Sequence, residues 1–284
     1  MTLAIVALSF SSIFVKKLES EAVTPGVIAF YRMAIATALL LPGALALRRR
    51  ELAALTRREI AMLILGGFCL AVHFGAWITS LRYIPIATSV VLVNTHPLFV
   101  AIASYVFLGE KPTRQVIAGT VVGLMGMAII SADAFADLRL ALLGDGLAVL
   151  GALAVVGYFI VGRKVRARIS LLGYATPLYA VCSGFLLCWV IAGGESLFPY
   201  RATVWFYLVA LAVVPTLVGH TVFNWALKHV APSAVSITFL AEPLVASVLA
   251  FVFFAQQPPA STLKGGALVL AGVYLTTASR RIES

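Results

Sequence analysis

Polar and apolar positions along this chain alternate on the scale of whole helices rather than of single turns. Clusters of charge, proline and glycine separate ten apolar runs, at approximately 1–17, 25–47, 60–81, 87–108, 115–132, 143–162, 171–192, 204–227, 233–254 and 263–279. A helix needs about 20 residues to cross the hydrocarbon core. Lipid offers no partner for backbone N–H and C=O groups, so a crossing segment has to bond to itself. The pattern therefore predicts an all-α integral membrane protein with ten transmembrane helices.

The runs repeat at a shift of 146 to 147 residues. Pro97-Leu98, Val106-Phe107, Pro112, Gly119, Leu124 and Gly126 recur as Pro243-Leu244, Val252-Phe253, Pro258, Gly265, Leu270 and Gly272. Upstream, with a one-residue slip, His73, Pro85, Ala87 and Ser89 recur as His220, Pro232, Ala234 and Ser236. Proline, glycine and histidine at constant spacing carry this signal; leucine and valine match by chance in apolar sequence. Each repeat holds five spans, an odd number, so the second enters the membrane from the opposite side. Two inverted five-helix units are expected, 1–142 and 143–284, related by a pseudo-two-fold axis in the membrane plane, as in many secondary transporters.

Composition sharpens this. Of 284 residues, 62% are hydrophobic and 11% charged, and mean hydropathy is +1.04, against about 25% charged in a soluble domain. A soluble enzyme is excluded. The net charge of +10 would suit a nucleic-acid partner, but its placement assigns it otherwise. Alternate loops hold 14 Lys and Arg on one side and six on the other, with only Arg32 inside a span. Cytoplasmic loops are the basic ones, so both termini are expected in the cytoplasm. The stretch from Met1 to Val15 ends at Lys16-Lys17 with no cleavage pattern and reads as the first span. Cys69, Cys182 and Cys188 lie in apolar runs and give neither a disulfide framework nor metal spacing.

Ionisable groups at membrane depth are costly and functional by default. This chain places Arg32, His73, His96, His220 and Glu242 there. His73 matches His220 and His96 matches Glu242 in the repeat, which sets four of the five around one axis. Pro97 and Pro243 follow His96 and Glu242 and are expected to kink their helices, freeing the carbonyls of Val93 and Phe239. For Glu242 two readings stand: a contact for a substrate amine or a proton, or a structural carboxylate tied to Arg32 or a helix end. His73 with Trp77, and His220 with Asn224, are four apart and share a helix face. Asn94, Thr95, Thr221, Tyr158, Ser11 and Ser12 could add hydrogen bonds, most of them between helices. Trp77, Trp205 and Trp225 lie near span ends, the usual place of interfacial anchors. Gly119 and Gly123, matched by Gly265 and Gly272, allow close packing of span 4 on 5 and 9 on 10, or of two copies. No metal is indicated.

Four features together resemble the EamA family of the drug/metabolite transporter superfamily. They are Gly109-Glu110-Lys111-Pro112, Ala241-Glu242-Pro243, the run from Pro25 to Arg32, and the twin five-helix halves. The resemblance covers essentially the whole chain and implies a ten-helix inverted-repeat carrier with a central cavity, commonly an exporter of amino acids or other small metabolites. Two departures stand out. Phe10-Ser11 occupies the place where the family often has Trp-Gly, and the second repeat reads Ala255-Gln256-Gln257-Pro258, so Glu110 and Lys111 have no counterpart.

A secondary transporter alternating access around a midplane cavity is the expected function. The chain has no Gly-x-x-x-x-Gly-Lys-Ser/Thr loop for ATP, and no His-Glu-x-x-His or Gly-x-Ser-x-Gly pattern for a membrane-embedded enzyme acting on lipid. That enzyme, and a non-transporting membrane subunit, are the alternatives. The expected partners are a small-molecule solute, a proton as candidate coupling ion, and the bilayer of the cell inner membrane, with no nucleic acid and no cofactor, as a monomer or homodimer. Cysteines introduced at Arg49 and Arg201 test the topology: a membrane-impermeant thiol reagent on intact cells should label position 201 and not 49. Labelling of both from one side would refute the ten-span arrangement.

Overall fold

The computed structural model describes residues 2–108, 114–132, 138–229, 239 and 242–278. Every regular element among them is helical. The first half comprises α1 (Thr2–Ser20), α2 (Pro25–Ala53), α3 (Arg57–Ser80), α4 (Ile86–Val93), α5 (His96–Leu108) and α6 (Arg114–Ala132). The second comprises α7 (Leu138–Arg166), α8 (Leu171–Ala192), α9 (Ala202–Leu211), α10 (Thr221–His229), α11 (Glu242–Phe254) and α12 (Ala260–Ala278). A π-helical segment, Ala212–His220, joins α9 to α10 without a break. Five of these helical stretches are long and apolar enough to cross a membrane alone, and shorter apolar helices make up the others. The described helices fall within all ten apolar runs. The Gly109–Pro112 motif, Pro232 to Ser236, Ala241 and the Arg280-Arg281 pair lie outside the described residues.

Helix starts follow local chemistry. Thr24 caps α2 and Pro25 occupies its first turn, where a missing N–H costs nothing. Thr56 and Glu59 form a capping box on α3, with Glu59 Oε2 accepting from the Thr56 N–H at 2.8 Å. Ser170 caps α8 through the Gly173 N–H at 3.1 Å.

The fourth run differs from expectation. A single kinked helix over 87–108 is predicted, yet the chain breaks at Asn94-Thr95 into α4 and α5. Pro97 sits in the first turn of α5 and Pro243 in the first turn of α11, so each proline opens a helix instead of bending one. The break is stable because side chains replace the lost ladder: Asn94 Nδ2 donates to Val90 O at 2.9 Å and Thr95 Oγ1 to Leu92 O at 2.6 Å. Broken backbone is tolerated at this depth where it faces protein or a polar cavity.

The two halves interleave. α3 lies between α7 and α8, α2 packs on α8, and α1 packs on the π segment and α11. Gly123 does pack span 5 on span 4, where a Cβ would meet the Leu98 side chain, but these glycines also make backbone contacts. They join α6 to α12, the fifth span to the tenth, and the contacts are reciprocal. A Cβ on Gly126 would sit 2.6 Å from Gly265 O and 2.8 Å from Val269 N; one on Gly272 would sit 2.5 Å from Gly123 N and nearer still to Gly119 O. Residues 119, 123 and 126 thus meet 265, 269 and 272 in both directions. Gly146, by contrast, has nothing within 4 Å of its Cβ position.

Gly272→Ala should therefore force α6 and α12 apart at a cost of about 1–3 kcal/mol. Gly146→Ala should hold or gain stability, because alanine is the better helix former. Thermal unfolding in detergent compares them, and equal melting temperatures would contradict the close approach.

Candidate functional site

A cavity opens where α1, α2, α3 and α7 converge on the α4–α5 break, the π segment and the start of α11. It is small, about 40 Å³, room for a few water molecules. Its walls combine the apolar side chains of Leu8, Phe74, Val93, Val155, Phe159 and Phe239 with Ser11, Arg32, His73, Trp77, Asn94, His96, His220 and Glu242.

Arg32 is completely buried. Its Nε donates to Thr216 Oγ1 at 2.8 Å, its Nη1 donates to Ser11 Oγ at 2.9 Å, and its guanidinium carbon lies 4.0 Å from the centre of the Phe74 ring. Those three partners sit on the π segment, α1 and α3, so one cation draws together elements from both halves. Local sequence explains the seat on the π segment. Pro215 cannot donate a backbone hydrogen bond, and the neighbouring Thr216 hydroxyl donates to Leu211 O at 3.1 Å. Its oxygen stays free to accept from Arg32. No carboxylate lies within 4.0 Å of Arg32 among the described residues, and its Nη2 has no acceptor.

Glu242 is the first residue of α11 and accepts from Asn94 Nδ2 at 3.3 Å across the two halves. It forms no ion pair among the described residues. The repeat-related His96 opens α5, and its Nδ1 lies 3.3 Å from Val93 O, the carbonyl that Pro97 leaves without a donor. His73 Nδ1 lies 2.9 Å from Gly151 O and ties α3 to α7. A carbonyl only accepts, so Nδ1 carries the proton in both rings and Nε2 is the acceptor in the neutral tautomer. The His96 Nε2 has no partner. His73 and His220 meet edge to face with ring centres 6.5 Å apart, and Phe74 stands against His220 at 5.3 Å.

Of the side chains singled out in the sequence, Arg32, His73, Trp77, Asn94, His96, His220 and Glu242 share this cavity. Trp77 is 5% exposed, whereas Trp225 is 51% exposed, so Trp77 faces the interior rather than anchoring at the lipid surface. Its Nε1 also lacks an acceptor. Tyr158 and Asn224 lie elsewhere, in a network that joins α7, α8 and α10. Tyr158 donates to Asn224 Oδ1 at 2.5 Å, Asn224 Nδ2 donates to Tyr179 at 3.2 Å, and Arg166 Nε donates to Asn224 O at 3.2 Å. Asn224 follows His220 by four residues, at the start of α10 where the π segment ends at His220, and it bonds to Tyr158 and Tyr179 rather than lining the cavity. Thr216 and Phe74, which position Arg32, escape sequence reasoning; the one signal for Thr216 is its place directly after a proline inside a span. Among the described residues no group of three His, Cys, Asp or Glu could hold a metal.

Comparison with known proteins agrees with this architecture. The chain is 32% identical over 210 residues to the probable terminal-alkyne amino-acid exporter of Streptantibioticus cattleyicolor, covering 71% of this chain and 68% of that protein. It is 25% identical over 266 residues to the pseudopaline exporter CntI of Pseudomonas aeruginosa, covering 93% and 90%. A solved crystal structure superimposes with a TM-score of 0.71 at 21% identity, over 100% of this chain and 97% of the other, which establishes a shared fold. The profile of the EamA-like transporter family matches twice, at residues 1–132 and 142–278. This chain is a multi-pass membrane protein and belongs to the EamA-like transporter family.

Proposed function

We propose that the chain is a secondary exporter of amino acids or related small metabolites, moving them by alternating access through the cavity around Arg32 and Glu242. The observation that carries this reading is a mostly apolar cavity lined by one cation and one carboxyl group that form no ion pair among the described residues, walled by helices of both halves. Two units, 1–142 and 143–284, would be related by inversion in the inner membrane, with both termini in the cytoplasm. Three structural relations support the inversion: the reciprocal contacts of α6 and α12, the meeting of His73 with His220, and the matched positions of His96 and Glu242 at the starts of α5 and α11. Of the two named relatives, one carries the name of a probable terminal-alkyne amino-acid exporter and the other that of a pseudopaline exporter.

A cavity of about 40 Å³ takes water, not a metabolite. The bundle therefore has to open for a solute to enter, and a second opening on the opposite side completes a transport cycle. The sequence has no ATP-binding loop, which leaves an ion gradient or the solute's own gradient as the driving force. Glu242 is the residue proposed to carry a proton, being the one acidic side chain among those that line the cavity.

Protein purified into proteoliposomes tests this. Labelled amino acid outside should exchange saturably for unlabelled amino acid inside. Glu242→Gln should abolish the response to an imposed pH gradient. Flux that rises linearly with concentration would point to a pore, and an unchanged response to the gradient in Glu242→Gln would remove the proton role.

A further inference from the structure

Three polar nitrogens on residues that line the cavity are buried without partners among the described residues: Arg32 Nη2, Trp77 Nε1 and His96 Nε2. Such atoms are rare in folded proteins, because an unmade buried hydrogen bond costs the full desolvation of the group. Three around one cavity in one bundle call for a common cause. Their chemistry divides them. Arg32 Nη2 and Trp77 Nε1 are obligate donors, and the first carries a permanent charge. The His96 Nε2 is an acceptor in the tautomer that its contact with Val93 O requires, and Glu242, at the matching repeat position, is a second acceptor with charge.

The donors are also held ready. Arg32 is fixed by Thr216 and Ser11 through Nε and Nη1, at 2.8 and 2.9 Å, and by the Phe74 ring, which leaves Nη2 as its uncommitted corner. A guanidinium presents N–H groups in a planar fork that suits a carboxylate. In low-dielectric surroundings a buried cation whose only bonded partners are neutral hydroxyls is a strong seat for an anion. A simple anion would leave Glu242 facing unfavourable like charge in the same small space, whereas a simple cation would leave Arg32 unanswered. A zwitterion satisfies both.

We propose that Arg32 Nη2 and Trp77 Nε1 form the carboxylate seat of the transport site, with Glu242 and His96 Nε2 receiving the ammonium of the same solute, a free amino acid. The inference rests on the exporter reading above and names which chemical groups of the solute the site reads. The apolar lining includes Leu8, Val93, Val155 and Phe239, so an apolar side chain is favoured over a charged one. Trp77 contributes through its N–H as well as its ring.

The test changes the solute before it changes the protein. Proteoliposomes of the full chain are assayed for counterflow of each of the twenty common amino acids, its carboxamide, and the amine left by removing its carboxylate. At least one apolar amino acid should exchange, with its carboxamide and its amine each weaker by about tenfold or more, the effect of leaving a buried charged donor unpaired. Trp77→Phe keeps the aromatic body and removes only the N–H. It should raise the half-saturating concentration of the amino acid while leaving that of the amine unchanged. Arg32→Gln should erase the preference for the amino acid over its amide. An amide or amine that exchanges as well as its parent amino acid overturns the carboxylate seat and leaves the exporter reading intact. Counterflow of none of the sixty compounds overturns the seat, and the exporter reading falls with it only if overproducing cells also gain no resistance in a toxic-metabolite screen.

Discussion

A guanidinium in the middle of an apolar bundle, with no carboxylate bonded to it among the described residues, is the constraint around which this protein is arranged. Burying a charge in hydrocarbon is expensive unless its surroundings replace the lost water. Here the replacement comes from three elements that are distant in sequence: the Ser11 hydroxyl of α1, the Thr216 hydroxyl of the π segment and the Phe74 face of α3. Helices of the two halves are pulled to one point as a result. Removing any of those partners would leave the charge less compensated, and removing the charge would leave two hydroxyls and a ring with no reason to converge. The compensation is also incomplete, since one corner of the guanidinium goes unused.

The backbone obeys the same rule of internal satisfaction. Three prolines lie near the cavity, Pro97 and Pro243 in the first turns of their helices and Pro215 inside the π segment, and beside two of them a carbonyl receives a neighbouring side chain. Val93 O faces the His96 ring at 3.3 Å, and Leu211 O receives the Thr216 hydroxyl at 3.1 Å. In both places the substitute donor is also a cavity residue or the partner of one. The proline therefore does more than break a ladder: by freeing a carbonyl it recruits His96 or Thr216 and fixes how that side chain is turned. Part of the polar chemistry of this protein is thus positioned at interruptions of helices, beside Arg32, His73 and Trp77, which project from the unbroken α2 and α3.

That explains how far the sequence could be read. The number of spans, the excess of positive charge on one side and the residues destined for the middle all depend on which residue types occur where, and lipid makes those choices strict. Arg32, Glu242 and the histidines stand out against an apolar background and come together as their cost implies. The direction in which a helix turns is a different matter. In a span that is apolar all round, no periodicity marks the inner face, and so Asn224 could be placed beside His220 on paper while in the fold it bonds to Tyr158 and Tyr179. Trp77 was ambiguous for the same reason, because a tryptophan near a span end is read equally well by lipid and by a cavity. The glycines gave their spacing but not their backbone partner: reciprocal contact between α6 and α12 needs both copies in three dimensions.

Motion between states also has a structural basis in where weak and strong contacts lie. The seam between α6 and α12 is backbone on backbone, with no space for a methyl group, and packing of that kind holds or fails as a unit. The ends of the bundle are different. At one end Glu19 faces Lys16 at 3.2 Å and Arg82 at 3.6 Å, and Gln256 Oε1 accepts from the Ile86 N–H at 3.2 Å. At the other, Glu51 Oε1 accepts from the Ser170 N–H and Glu59 lies 3.8 Å from Arg168. Arg82 and Arg168 are largely exposed while Glu19 and Glu59 are mostly buried, so each end is held by a few side-chain links rather than by a seam of backbone on backbone. Alternating access, as proposed, needs that division: side-chain closures that open one at a time beside a seam packed backbone to backbone.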